Sequence, residues 1–126
     1  MLGSEAIERL RGRLAAAQVD PRLAVSEAAQ QYNFDEDSAA FAEIDVKRGD
    51  DFVVVVVIGS LPFDQFVVDV WQRFAPEVWL VDASDEAITV ARKGEPARVV
   101  GRGQAVRSRA LPGVAIAIDE LFTPPS

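Results

Sequence analysis

Cysteine and histidine are both absent from the 126 residues. The first absence excludes a disulfide framework, and together they exclude thiolate or imidazole zinc sites and catalysis by Cys or His. No serine sits in a nucleophile-elbow context, so a nucleophile paired with a base is not offered either. Any metal would have to be a hard cation, Mg2+ or Mn2+, on carboxylates. No apolar run approaches the ~20 residues a membrane span needs. Glu5, Glu8, Arg9, Arg11 and Arg13 interrupt the start, so no signal peptide, no membrane partner and a cytoplasmic location are expected.

What is present is ordinary for one globular domain spanning residues 1–126, with 49% hydrophobic and 26% charged residues. The formal net charge of −7 works against broad nucleic-acid affinity. The charge is uneven, however. Val19 to Asp51 holds nine acids against three bases, whereas Glu86 to Ala110 holds six bases against two acids. The second stretch leaves room for a basic patch of Arg92, Arg98, Arg102, Arg107 and Arg109 on an acidic protein.

The chain is organised around Val53 to Ile58, five valines and an isoleucine without a polar break. Unbroken β-branched residues predict a strand covered on both faces. Ahead of it, Phe41 to Lys47 alternates, with Phe41, Glu43, Asp45 and Lys47 on one face and Ala42, Ile44 and Val46 on the other. Arg48-Gly49-Asp50 joins the two as an antiparallel hairpin. After Pro62, the residues Phe63, Phe66, Val67, Val70, Trp71 and Phe74 keep helical spacing, which predicts a helix packed on the sheet. Glu77 to Asp82 is then a strand parallel to the valine strand across that helical crossover.

Ser4 to Gln18 reads as a first helix burying Ile7, Leu10 and Leu14, and Ser26 to Tyr32 as further helical turns capped by Ser26. Asn33 to Ser38 is an acidic turn. Ile88 to Arg92 and Ala97 to Val100 form a hairpin, and Val114 to Ile118 a last strand before a turn at Asp119 to Phe122. Trp71 and Trp79 are expected in the core. The fold class is α/β, with a mixed sheet of α+β character.

The run PEVWLVDASDEAITVARKGEPARVVGRGQAVRSRALPGVAIAIDELF, Pro76 to Phe122, resembles the Uma-two family of the PD-(D/E)xK nuclease superfamily. The family carries a "PEYWLVD" strand, a "V-x-V-x-R" hairpin strand and a closing "LPG" with an "ELF" end, matched here at Pro76 to Asp82, Ile88 to Arg92 and Leu111 to Phe122. The resemblance implies a restriction-endonuclease-like core with a central valine strand, one crossover helix and a C-terminal hairpin extension. It also implies a metal-binding acidic core and a lysine. The family's "PDLVVEVLSPS" falls on DDFVVVVVIGS, where its essential Glu lands on Val55, and its first "PD" falls near Ala42-Glu43. The stretch Phe63 to Phe74 contains no lysine and is shorter than the family spacing requires. Valine has no oxygen to ligate a metal, so the chain is identified as a degenerate member.

Three functional readings follow. The first is a non-catalytic nuclease-fold domain, without cofactor, acting through association with itself or a protein partner. The second is a Mg2+- or Mn2+-dependent endonuclease, a phosphodiester hydrolase with its site relocated to Glu43, Asp45 and Lys47. There Glu43 and Asp45 would hold the metal, aided by Glu27 and by Asp35 or Asp37. The third is nucleic-acid binding without cleavage through the five arginines.

Overall fold

The computed structural model describes residues 3–17, 20–34 and 39–122. A six-stranded mixed sheet runs through the middle in the order β1-β4-β5-β6-β7-β8. These strands are β1 Leu23–Val25, β4 Ile44–Arg48, β5 Asp51–Ile58, β6 Glu77–Asp82, β7 Ala87–Arg92 and β8 Arg98–Val100. β5 and β6 pair in parallel, and every other neighbouring pair is antiparallel. The parallel pair is joined through α2, Gln65–Gln72, as a helical crossover requires.

The valine strand is buried from both sides, as its lack of polar residues predicts. Val54 and Val56 point into one cluster, with Ala6, Ile7, Leu10 and Leu14 of α1 (Gly3–Ala16) and the C-terminal Ile116, Ile118, Leu121 and Phe122. Val55 and Val57 point into the other, with Val68, Val70 and Trp71 of α2. A bulge opposite Val46/Lys47 interrupts the β4–β5 ladder. It leaves Val53 beside Val54 on the α1 side, while Phe52 packs on the α2 side.

Two small ribbons complete the layers. β2 (Gln30–Asn33) pairs with β3 (Ala39–Ala42), and β9 (Ala105–Arg107) pairs with β10 (Ala115–Ala117) ahead of α3 (Ile118–Phe122). The first ribbon corrects the helical turns expected at Ser26 to Tyr32. The Ser26 hydroxyl accepts the Asp45 backbone N–H at 3.0 Å, and the Ser26 N–H donates to the Asp45 carbonyl at 2.9 Å. Ser26 is thereby tied to β4, and Gln30–Asn33 finds a strand partner. The strand expected from Phe41 to Lys47 is two strands broken at Glu43. Ala42 faces the α2 side and Ile44 the α1 side, so the single apolar face divides between both cores. β9 and the edge strand β1 are three-residue elements that periodicity does not reveal. The first helix ends at Ala16, and its expected last residue, Gln18, lies outside the described residues, as does most of the acidic turn at 33–38.

The aromatic stripe needs a second correction. Trp71 is fully buried, and its indole N–H donates to the Phe41 carbonyl at 3.1 Å. Phe63 and Phe66, by contrast, are 93% and 75% exposed. The helix begins only at Gln65, so Phe63 precedes it, and the face that meets the sheet is Val68, Val70 and Trp71. Phe66 points away from it. Among the described residues no helix is long and apolar enough to cross a membrane.

One carboxylate fastens the C-terminal segment to the sheet. Glu77, at the start of β6, is 1% exposed. Its Oε1 accepts the Trp79 indole N–H at 2.9 Å and the Ser108 hydroxyl at 3.0 Å. Its Oε2 accepts the backbone N–H groups of Arg109 and Ala110, each at 2.8 Å, and the Arg92 Nε–H at 3.3 Å. Burial pushes this carboxyl up, but the bonds from Trp79, Ala110 and Ser108 and the Arg92 charge outweigh it and hold it below its ordinary value. A depressed folded pKa contributes stability that is present above the ordinary glutamate range and lost as pH falls through the folded value. Chemical denaturation of the wild type should therefore show stability falling as pH drops below about 4.5, the ordinary value. Glu77→Gln should lose about 3–5 kcal/mol at pH 7, because it removes the charge opposite Arg92 and turns one of the two acceptor oxygens into an NH2 that faces other donors, and should show a flatter acid limb.

Candidate functional site

Val55, the residue standing where the resemblance expects a catalytic glutamate, is fully buried at the centre of the sheet. Its neighbours across the ladders are Asp45 on β4 and Val78 on β6. A carboxylate therefore lies directly opposite the valine, on the adjoining strand. Asp45 is itself only 3% exposed.

Beside Asp45 stands a cage of aromatic rings that meets it through Tyr32. The Tyr32 hydroxyl donates to Asp45 Oδ2 at 2.7 Å. The Tyr32 ring meets Phe52 edge-on at 5.1 Å and Trp71 at 5.6 Å, and Phe34 bridges from Trp71 to a stacked contact with Phe74. Burial, then the Asp45 bond, then the Asp45 charge push the Tyr32 phenol up to about 12, so it remains a donor at neutral pH. Lys47 is half-buried. Its ammonium sits 4.9 Å from the Phe52 ring centre and 5.8 Å from that of Tyr32, a cation–π placement. No ion pair links Lys47 to Asp45.

Glu43 occupies the break between β3 and β4. Its N–H donates to the Val56 carbonyl at 2.9 Å, and its own carbonyl accepts Arg11 Nη2 at 2.5 Å. Its side chain lines a groove of about 210 Å3 with Phe41, Ile58 and Phe66. Asp45 and Lys47 share the α2 side of the sheet, as alternation along β4 predicts; Glu43, at the break where alternation is interrupted, lines a groove on that same side, and the three face different surroundings: an aromatic cage, two ring faces and a surface groove. Glu27 is exposed in the loop after β1, and Asp35 and Asp37 lie outside the described residues. Among the described residues no three acidic side chains gather closely enough to hold a metal ion.

The five arginines are not equivalent. Arg92 bonds Glu77, and its Nη1 lies 3.8 Å from Glu95. Arg102 pairs with Glu86 at 2.5 Å and Asp119 at 3.4 Å, and Arg109 with Glu95 at 2.5 Å. Arg98 and Arg107 are exposed, and neither side chain has an ionic partner among the described residues.

The strand order and the two-sided packing can be set beside solved structures. The crystal structure of a nuclease candidate of the family DUF820 from Anabaena variabilis superposes with a TM-score of 0.66. The match covers 98% of this chain and 82% of that one at 13% sequence identity. The fold is restriction-endonuclease-like. No family model matches the chain, and no curated protein does. At 13% identity the likeness is one of architecture, and the chemistry must be argued from the residues.

Glu77 is the buried carboxylate that sequence reading passes over, because it sits in a run of strand residues with nothing to mark its partners 31 to 33 positions away. Two substitutions report on the central cage. Val55→Glu should destabilise the fold by about 3–5 kcal/mol, since it buries a second carboxyl directly opposite Asp45, and should not produce cleavage. Tyr32→Phe should cost about 1–3 kcal/mol by leaving a buried acceptor unpaired. Urea unfolding measures both, and a plasmid-nicking assay with Mn2+ checks the first.

Proposed function

We propose that this chain is a nuclease-fold domain that does no catalysis and works by association with a second copy of itself. The observation that carries the reading is the pairing of a retained architecture with an apolar residue at its chemical centre. Val55 supplies no ligand, and Asp45 is committed to Tyr32 beside an aromatic cage. The residues of this region do not fit a divalent metal, which needs several oxygen ligands around one point. Membership of the Uma-two family as a degenerate member belongs to the same proposal and rests on the motifs of residues 76–122.

The association half of the reading draws on the α2 side. Phe63 and Phe66 project there, and Phe66 is also a wall of the groove formed with Phe41, Val57, Ile58, Val67 and Val70. Exposed aromatic knobs and an apolar recess on one surface are what a two-fold interface uses, because each copy offers both halves. A protein partner of other sequence would need to supply a matching knob. The competing reading, a Mg2+- or Mn2+-dependent endonuclease on Glu43, Asp45 and Lys47, draws on the position of Asp45 directly across from Val55.

Sedimentation equilibrium across a hundred-fold concentration range separates these readings when joined to a cleavage assay. The expected result is a dimer that Phe63→Ser/Phe66→Ser converts to a folded monomer, with no cleavage of DNA or RNA in Mg2+ or Mn2+. A wild type that stays monomeric throughout overturns self-association. Metal-dependent cleavage abolished by Asp45→Ala overturns the non-catalytic reading.

A further inference from the structure

We infer that the cleft between β7–β8 and β9 is a phosphoryl-binding site built on Arg92, Arg98 and Arg107. It lies on the α1 side of the sheet, across from the aromatic cage, and it does not depend on the association reading. The register places it there. Arg98 pairs across the ladder with Val90, and Val100 with Ile88, and these valines and the isoleucine belong to the α1-side core. Arg92 follows Val90 by two positions and shares that face. β9 then passes over it, bringing Ala105 and Arg107. The cavity so enclosed measures about 210 Å3 and is lined by Val90, Arg92, Arg98, Gln104 and Arg107, among others.

Three features suit the cleft to a tetrahedral anion. The first is a fixed frame. Arg92 Nη2 donates to the Arg107 carbonyl at 3.2 Å, so the same guanidinium that bonds Glu77 also holds β9 in place over β7. The second is uncompensated charge. Glu77 and Glu95 offset Arg92, but Arg98 and Arg107 have no counter-ion among the described residues. Two guanidinium groups sharing a concavity repel one another unless an anion lies between them, and that makes the cleft a local positive site on a chain of net charge −7. The third is oriented polarity. Gln104 Oε1 accepts the Gly101 N–H at 2.9 Å, which leaves the Gln104 Nε2 hydrogens as further donors at the cleft wall.

Planar guanidinium forks match the paired oxygens of a phosphoryl group. Such oxygens come from inorganic phosphate, from a terminal phosphate monoester, or from a nucleic-acid backbone. The chemistry is common to all three. The structure narrows the five arginines of the basic stretch to these, because Arg92, Arg98 and Arg107 line the cleft and Arg102 and Arg109 do not; the uncompensated charge comes from Arg98 and Arg107.

The test is a 1H–15N chemical-shift titration of the full chain in low-salt buffer free of phosphate. The probes are inorganic phosphate, a nucleoside 5′-monophosphate, and a short oligothymidylate lacking terminal phosphates. At least one probe should move the amides of residues 98–107 and saturate. Arg98→Gln/Arg107→Gln, which changes only exposed side chains, should keep its fold by circular dichroism and weaken that binding by roughly ten-fold or more. Arg73→Gln, the loss of one positive charge on the opposite side, should change it less than about two-fold, and either single variant, Arg98→Gln or Arg107→Gln, should weaken it more than that. Phosphate and monophosphate binding without the oligonucleotide identifies a monoester site; oligonucleotide binding identifies a backbone diester site. Saturation by no probe, or equal binding by the folded double variant and the wild type, overturns the inference.

Discussion

The five hydrogen bonds converging on the Glu77 carboxylate tie the loop at 108–110 to the middle of the sheet. β6 lies at the middle of the sheet, and the residues that reach its first side chain come from β6 itself, from β7 and from the loop at 108–110. A buried carboxylate is tolerable only when its oxygens are satisfied, so the loop cannot move away without exposing a charge to an apolar interior. The Ser108 hydroxyl extends the network by accepting the Leu111 N–H at 2.8 Å. Leu111, Val114 and Ile116 then close over the α1 side of the core. The position of β9 depends on the same network, since Arg92 joins Glu77 to the Arg107 carbonyl.

The two sides of the sheet are consequently built by different means. On the α1 side, aliphatic side chains from α1, the valine strand and the C-terminal segment pack around a carboxylate anchor. On the α2 side, a thinner layer of one two-turn helix and one ribbon encloses aromatic rings. The cage beside Asp45 satisfies that acid with a phenol where a metal centre would need several convergent oxygens. Val55 beside it is apolar, and a charge at that position would be tolerable only with a metal or a partner. A restriction-endonuclease-like scaffold with a valine at position 55 and Asp45 bonded to a phenol is the physical basis for proposing a domain that binds.

How much of this was legible in the sequence depended on the range of the interactions. The valine strand, its hairpin to Ile44–Arg48, the crossover and the parallel strand at Glu77 all follow from local period and turn residues. So do the buried tryptophans. The α2 stripe misled because a helical spacing of aromatics does not fix where the helix starts, and beginning at Gln65 leaves Phe63 outside it and turns Phe66 outward. Ser26 to Tyr32 misled because Ser26 satisfies a strand neighbour nineteen positions away instead of a helix terminus. Within the candidate site, alternation along β4 put Asp45 and Lys47 on one side but could not show that the strand breaks at Glu43. Nor could it show that a tyrosine thirteen positions upstream would occupy Asp45. The division of the arginines was likewise hidden, since it depends on acids at positions 77, 86, 95 and 119.

The proposal turns on the centre of this restriction-endonuclease-like fold, where Val55 offers no oxygen ligand and Asp45 is bonded to Tyr32. Electron paramagnetic resonance of Mn2+ titrated into the purified chain addresses it directly, because protein-bound and aqueous ions give distinct signals whether or not a substrate is known. The account predicts that the aqueous signal is undiminished at equimolar protein, for the wild type and Asp45→Asn alike. One bound Mn2+ per chain, released by Asp45→Asn while the fold persists, would contradict it.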